Sequence, residues 1–109
     1  MSVEQISAIQ LKAWLDDKAS AQPILLDVRE PQEFAHCHIE GAQLMPMNTV
    51  PAQLQTLDAD RPTVVICHHG MRSAQVAMYL QQQGFGKLFN LSGGVAAWAA
   101  QVDSAMPTY

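Results

Sequence analysis

A strand pattern, a short loop and a helix pattern follow one another between residues 63 and 83, and this unit constrains the fold more than any other part of the chain. The segment Thr63–Ile66 is apolar and β-branched, which predicts a buried strand. Residues 72–83 have apolar side chains at helical spacing, and Gly84 follows as a typical residue after a helix. A buried strand that leads directly into a helix is the building unit of a parallel sheet.

The same alternation extends along the whole chain. The patterns predict strands over 24–28, 43–46 and 87–91, and helices over about 8–18, from 30 onward, over 51–57 and over 95–101. We therefore expect an α/β fold in which a parallel sheet has helices on both faces. Ligands of such sheets bind at the C-terminal ends of the strands, where Asp27, Cys67 and residues 92–94 are predicted to lie.

Composition and charge argue against several classes of protein. The chain has 109 residues, 49% of them hydrophobic, which predicts one globular domain over 1–109. A net charge of -4 without a basic stripe argues against nucleic acid as a partner. No apolar run approaches the roughly 18 residues that span a membrane. Residues 1–5 do not have the pattern of a signal peptide, so we expect a cytoplasmic protein with no membrane partner.

The loop after the central strand pattern combines the features that a reactive thiolate requires. Cys67 follows the strand directly, where loop N–H groups and the N-terminus of the next helix favour negative charge. Gly70 allows the loop to curl tightly, Arg72 adds a permanent positive charge, and Ser73 adds a hydroxyl donor. We expect these groups to lower the pKa of Cys67, because the thiolate is the nucleophilic form of cysteine.

Other interpretations of the cysteines are weaker. A buried cysteine at a strand end is commonly inert, but Gly70, Arg72 and Ser73 favour catalysis here. Residues 36–38 and 67–69 offer His and Cys side chains, yet neighbouring residues rarely converge on one ion and no C-x-x-C spacing occurs, so no metal site is expected. A disulfide between Cys37 and Cys67 is not expected in a chain without a secretion signal.

The loop resembles the active-site loop of the rhodanese family of sulfurtransferases, in its single-domain form. Residues 27–34 and 38–42 resemble the N-terminal signature of that family, and residues 91–98 resemble its C-terminal signature. The similarity extends from about residue 6 to residue 107. The resemblance implies a rhodanese-like fold with a central parallel sheet of about five strands flanked by helices on both faces.

The resemblance also implies a reaction. Cys67 takes the sulfane sulfur from a donor such as thiosulfate, carries it as a persulfide, and passes it to cyanide or a thiol in a ping-pong sequence. Thioredoxin or another protein is an alternative acceptor. No metal or organic cofactor is implied. The residues that would bind the substrate and cradle the persulfide are His68, His69, Gly70, Met71, Arg72 and Ser73.

Two alternatives at the level of function accompany this interpretation. Cysteine phosphatases also use a Cys–Arg loop, but with one more residue between the two than the four here, His68 to Met71. By analogy with those families, the shorter loop fits a sulfur atom better than a phosphate. A rhodanese-like module without catalysis is the second alternative, but such modules tend to lack the cysteine.

Asp27 and Arg29 are candidate supporting residues behind the loop. Asp27 could orient Arg72 or a loop N–H group, although capping of the turn after its strand is the favoured interpretation. Arg29 is expected to form an exposed ion pair with Glu30 or Glu33, which would stabilise the protein little.

The remaining candidates have mainly structural interpretations. Cys37 stands where the family pattern has glycine, and an inert thiol is favoured over a resolving thiol. His38 is expected to be hydrogen-bonded rather than catalytic. His68 and His69 are only partly charged at neutral pH, so we expect modest thiosulfate turnover that increases toward pH 6, before the thiolate is lost.

Overall fold

The computed structural model describes residues 3–109, and within them a five-stranded sheet forms the centre of the molecule. The strands are β1 (Glu4–Ile6), β2 (Ile24–Asp27), β3 (Gln43–Leu44), β4 (Thr63–Ile66) and β5 (Leu88–Leu91). Every neighbouring pair is parallel, in the order β1-β5-β4-β2-β3. The predicted α/β class with a parallel sheet of about five strands is confirmed.

Helices cover both faces of the sheet. They are α1 (Ala8–Asp16), α2 (Pro31–His36), α3 (Met71–Gln82) and α4 (Gly94–Gln101), together with two 3₁₀ helices, Met47–Thr49 and Pro51–Thr56. None of the helices within residues 3–109 combines the length and apolar character that crossing a membrane requires.

The central strand β4 divides the core in two because its side chains alternate between the faces of the sheet. Val64 and Ile66 pack with residues of α1 and α4, whereas Val65 and Cys67 pack with residues of α3. All four strand residues are buried, as a strand covered on both sides requires. Cys67, the candidate nucleophile, therefore follows the C-terminal end of the buried central strand.

Several predicted elements differ from the observed ones. The edge strand β1 was not predicted. It has three residues, of which only Ile6 is buried, so no alternation of apolar and polar side chains is visible. β3 is shorter than predicted because the chain enters the 3₁₀ helix Met47–Thr49 directly after Pro46, although Met45 N–H still donates to the carbonyl of Asp27 at 2.8 Å. The predicted helix over 51–57 is a 3₁₀ helix, in which Leu57 N–H donates to the carbonyl of Leu54 at 3.0 Å.

Gly94 brings the start of α4 against the loop that follows β4. The N–H groups of Val95 and Ala96 donate to the carbonyl oxygens of Cys67 at 2.9 Å and His68 at 3.1 Å. Gly94 has a positive φ of 58°, and a Cβ atom there would collide with the backbone carbonyls of Cys67 and His68. Only glycine permits this close approach, and the approach allows α4 to hold the loop through these two hydrogen bonds.

We expect Gly94→Ala to destabilise the protein by about 3 kcal/mol, because the new methyl group must displace backbone atoms and not only side chains. Gly84→Ala is the matched control, since Gly84 also has a positive φ but has no atom within 4 Å of an added Cβ. The control should lose only about 1 kcal/mol, for the strained φ alone. The free energies of unfolding in urea measure both effects, and equal losses would show that the close approach does not matter.

Candidate active site

The Cys67 sulfur lies at the centre of the loop between β4 and α3. The residue is 1% exposed and its thiol is free. The backbone N–H group of Gly70 donates to Sγ at 3.1 Å, and the hydroxyl of Ser73, on the first turn of α3, lies 3.2 Å from Sγ. The loop thus folds around the sulfur and presents donors to it.

Gly70 makes this curl possible. Its φ of 103° is in the region that side chains rarely adopt, and a Cβ atom there would meet the carbonyl oxygen of Leu91 at 3.2 Å and the nitrogen of Gly93 at 3.3 Å. The prediction that Gly70 has a backbone conformation unfavourable to other residues is confirmed.

The pKa of Cys67 is set by opposing effects. Burial of the sulfur by itself raises the pKa, but hydrogen bonds from the Ser73 hydroxyl and from the N–H groups of Ser73, Gly70 and His69 lower it. The result is a pKa below the ordinary value of a cysteine. Neutral donors therefore supply the main stabilisation of the thiolate.

Arg72 is engaged differently from the sequence-based expectation. Its two Nη atoms donate to the two carboxylate oxygens of Glu33 on α2, at 2.8 and 3.0 Å. This bidentate pair lowers the pKa of Glu33 to about 2, with the Arg72 hydrogen bond as the largest cause. The positive charge near the loop is therefore shared with a carboxylate, and the pair joins α2 to the start of α3.

Asp27 and Arg29 form a second ion pair at the end of β2, and here one prediction is wrong. Arg29 does not make an exposed bridge with Glu30 or Glu33. It is fully buried, and its Nε and Nη2 donate to Asp27 Oδ1 and Oδ2 at 2.9 and 2.8 Å. Asp27 also accepts from the backbone N–H of Arg29 at 3.1 Å, so it caps the turn as expected. It does not orient Arg72.

Tyr109 extends the site and was missed by the sequence analysis. Its hydroxyl accepts from Arg29 Nη1 at 2.7 Å and donates to Glu33 Oε2 at 2.9 Å, which links the two ion pairs. Its ring stacks on His68 with centroids 4.0 Å apart. No local pattern near the end of the chain indicates these contacts, because they join residues that are distant in sequence.

The other loop residues lie around the sulfur without donating to it through their side chains. His68 is half-buried and stacks on His69, which is exposed, and the Met71 side chain is 77% exposed. Burial, followed by the charge of His69, lowers the pKa of His68. His68 therefore gains its positive charge at a lower pH than the expectation of increasing turnover toward pH 6 assumes.

Cys37 and His38 have the surroundings of structural residues. The Cys37 thiol is buried, with Arg29 Nη1 at 4.0 Å from its sulfur, and the Cys37 carbonyl accepts from Arg29 Nη2 at 2.7 Å. His38 Nδ1 is hydrogen-bonded to the carbonyl of Phe34 at 2.8 Å, as expected for a structural histidine.

Within residues 3–109, no group of three or more His, Cys, Asp or Glu side chains is arranged to hold a metal ion.

We expect Glu33→Gln to reduce stability by about 1 kcal/mol at neutral pH, a modest value because Arg72 is 37% exposed and solvent screens the pair. Since the folded-state pKa of Glu33 is depressed from 4.5 to about 2, the difference between wild type and variant is full above pH 4.5. It should vanish as the pH falls to about 2. Urea unfolding over this range measures it. Glu40→Gln, which changes an exposed carboxylate, is the control, and a similar loss there would contradict the assignment.

Comparison with known proteins identifies the family. The family model of the rhodanese-like domain matches residues 7–101 of the sequence. A protein named sulfurtransferase from Allochromatium vinosum is 38% identical over 97 residues, which are 89% of each chain. The thiosulfate sulfurtransferase GlpE of Stutzerimonas stutzeri is 35% identical over 72% of each chain. The crystal structure of a rhodanese-like domain protein from Staphylococcus aureus superposes with a TM-score of 0.83 at 31% identity, over 98% of this chain and 99% of that one. The chain belongs to the rhodanese family.

Proposed function

We propose that this protein is a sulfurtransferase that carries a sulfane sulfur on Cys67 as a persulfide. The observation that carries the proposal is the Sγ atom at the end of β4, which faces the Gly70 N–H group at 3.1 Å and the Ser73 hydroxyl at 3.2 Å. These donors favour an anionic sulfur, and an anionic sulfur is the attacking species in the reaction.

The first half-reaction loads the enzyme. The Cys67 thiolate attacks the outer sulfur of thiosulfate and forms a new S–S bond. The bond between that sulfur and the sulfonate sulfur breaks, and sulfite leaves with the electron pair. The loop N–H groups then face the terminal sulfur of the persulfide, whose negative charge they stabilise in the same way that an oxyanion hole stabilises an oxygen.

The second half-reaction transfers the sulfur from Cys67 to the acceptor. Cyanide or a thiolate attacks the outer sulfur of the persulfide, and the Cys67 sulfur leaves as the thiolate, with no further oxidant or reductant needed. Thiosulfate as donor is supported by the name of the GlpE relative. The exposed Met71 side chain beside the loop offers an apolar contact to a large acceptor, so thioredoxin or another protein is included among the proposed acceptors.

The proposed roles of the supporting residues follow from their contacts. Gly70 and Ser73 hold the sulfur, and His68, His69 and Met71 form the outer wall that the donor meets. Arg72, paired with Glu33, fixes the start of α3 against α2 and places two charged side chains beside the loop. Asp27 holds Arg29, and Arg29 in turn holds the Tyr109 hydroxyl, whose ring stacks on His68 of the loop.

We expect thiosulfate to add one sulfur atom to wild-type protein and none to Cys67→Ser, since serine keeps the shape of the side chain but cannot form a persulfide. Intact-protein and peptide mass spectrometry measure the gain. Cys37→Ser is the matched control, because it removes the other buried thiol and should still gain the sulfur on Cys67.

A sulfur gain on Cys37, or none on either cysteine in the folded wild type, would contradict the proposal. A parallel assay with an aryl phosphate separates the phosphatase alternative. Turnover of the phosphate ester comparable to that of thiosulfate would overturn the choice of sulfur transfer.

A further inference from the structure

Asn90 lies on β5 beside the loop, and its hydrogen bonds fix the orientation of its amide. Nδ2 donates to the backbone carbonyl of Gly70 at 3.1 Å and to Gln5 Oε1 at 2.9 Å. Because a backbone carbonyl can only accept, the nitrogen of the amide must face Gly70, and Oδ1 must face Ser73. Asn90 is 3% exposed, so solvent does not replace these contacts.

The Ser73 hydroxyl lies between two acceptors. Its oxygen is hydrogen-bonded to Asn90 Oδ1 and lies 3.2 Å from the Cys67 sulfur. An amide oxygen cannot donate, and a hydroxyl has only one proton to give. Ser73 therefore donates either to Asn90 or to the sulfur at any moment.

These two arrangements correspond to the two protonation states of Cys67. In the thiol, the S–H group donates to Ser73, and Ser73 donates to Asn90. In the thiolate, the sulfur has no proton, so the Ser73 hydroxyl turns to the sulfur and Asn90 Oδ1 loses that donor. A buried acceptor that loses its donor is unfavourable, and this penalty opposes ionisation.

We propose that Asn90 is a positioning residue that competes with the Cys67 sulfur for the single hydroxyl proton of Ser73. Asn90 thereby favours the thiol and limits the fraction of thiolate in the resting protein. The inference rests on the proposed role of Cys67 as the nucleophile.

Other groups also affect the charge of the sulfur, and they stay constant in the test. β5 contributes no titratable side chain there, because its residues are Leu88, Phe89, Asn90 and Leu91. The charged or titratable groups around the loop are Asp27 at the end of β2, Arg29 after it, Glu33 on α2, Arg72 on α3, the loop residues His68 and His69, and Tyr109.

The test is the effect of Asn90→Leu on the pKa of Cys67. Leucine has a similar volume but no oxygen to compete for the Ser73 proton. We expect the pKa to fall by about one unit, which is a tenfold increase in the thiolate-to-thiol ratio at a given pH. The ultraviolet absorbance of the thiolate across pH measures this, after subtraction of the matching Cys67→Ser protein, which also removes the signals of Cys37 and the tyrosines.

A double-mutant cycle separates this role from a purely structural one. Asn90→Leu also removes the hydrogen bond to Gly70, but that loss is the same with or without the Ser73 hydroxyl. Ser73→Ala should raise the pKa of Cys67, and adding Asn90→Leu to it should not produce the downward shift. If Asn90→Leu does not lower the pKa more in the wild-type background than in Ser73→Ala, the proposal is wrong.

Gln5→Ala is the control for the amide itself. Gln5 is exposed, and its removal takes away one acceptor from Nδ2 while Oδ1 still faces Ser73. The pKa of Cys67 should not change, and a decrease equal to that of Asn90→Leu would also overturn the proposal. Circular dichroism checks the fold of each variant, and Asn90→Ala carries the same expectation if the leucine variant does not fold.

The absorbance titration requires no sulfur transfer. A protein that forms no persulfide but shows the expected shift would contradict the proposed function alone. A protein that forms the persulfide but shows no difference between the two backgrounds would contradict the role of Asn90 alone.

Discussion

The two hydrogen bonds from the start of α4 to the carbonyls of Cys67 and His68 are the contacts on which the site depends. A trans peptide unit points its C=O and N–H groups in opposite directions. When the carbonyl of His68 is held toward Ala96, the N–H group of His69 must point the other way, where it stabilises the anionic sulfur. Helix α4 thus turns the His69 amide toward the Cys67 sulfur, and Gly94 is the residue that lets the helix come close enough.

Charge is balanced within the site. Arg29 is neutralised by Asp27 and Arg72 by Glu33, and the Tyr109 hydroxyl connects the two pairs. Each guanidinium holds backbone or helix ends in place while its charge is largely compensated. A site of this kind separates two tasks: the ion pairs fix α2, α3 and the end of β2, whereas dipoles of the loop stabilise the sulfur.

Sequence reasoning succeeded where the signal was local. The run from Thr63 to Gly70 contains a buried strand, a cysteine and a glycine turn within eight positions, so the central strand, the loop and the helix after it could be predicted. Helix α1 was predicted for the same reason, since it begins with a local cap in which Ser7 and Gln10 exchange hydrogen bonds within one turn. The edge strand β1 could not be predicted, because three residues with one buried side chain show no periodic pattern of hydrophobicity.

The errors arose where partners are far apart in the chain. Arg29 pairs with Asp27, only two positions away, but the contacts that surround the buried pair come from Cys37 and from Tyr109, 80 positions away, and these could not be predicted. The positive charge of Arg72 beside the loop was predicted, but its pairing with Glu33 on another helix was not. Asn90 has no motif of its own, and its importance is visible only when Gly70 and Ser73 lie beside it in space.

The use of neutral donors around Cys67 has a consequence for the medium in which the protein works. Dissolved ions screen charges that face solvent, but they scarcely affect hydrogen bonds from buried amides and hydroxyls. For the proposed reaction, the thiolate fraction of Cys67 should therefore change little with ionic strength, and any salt dependence of turnover would come from the encounter with the charged donor.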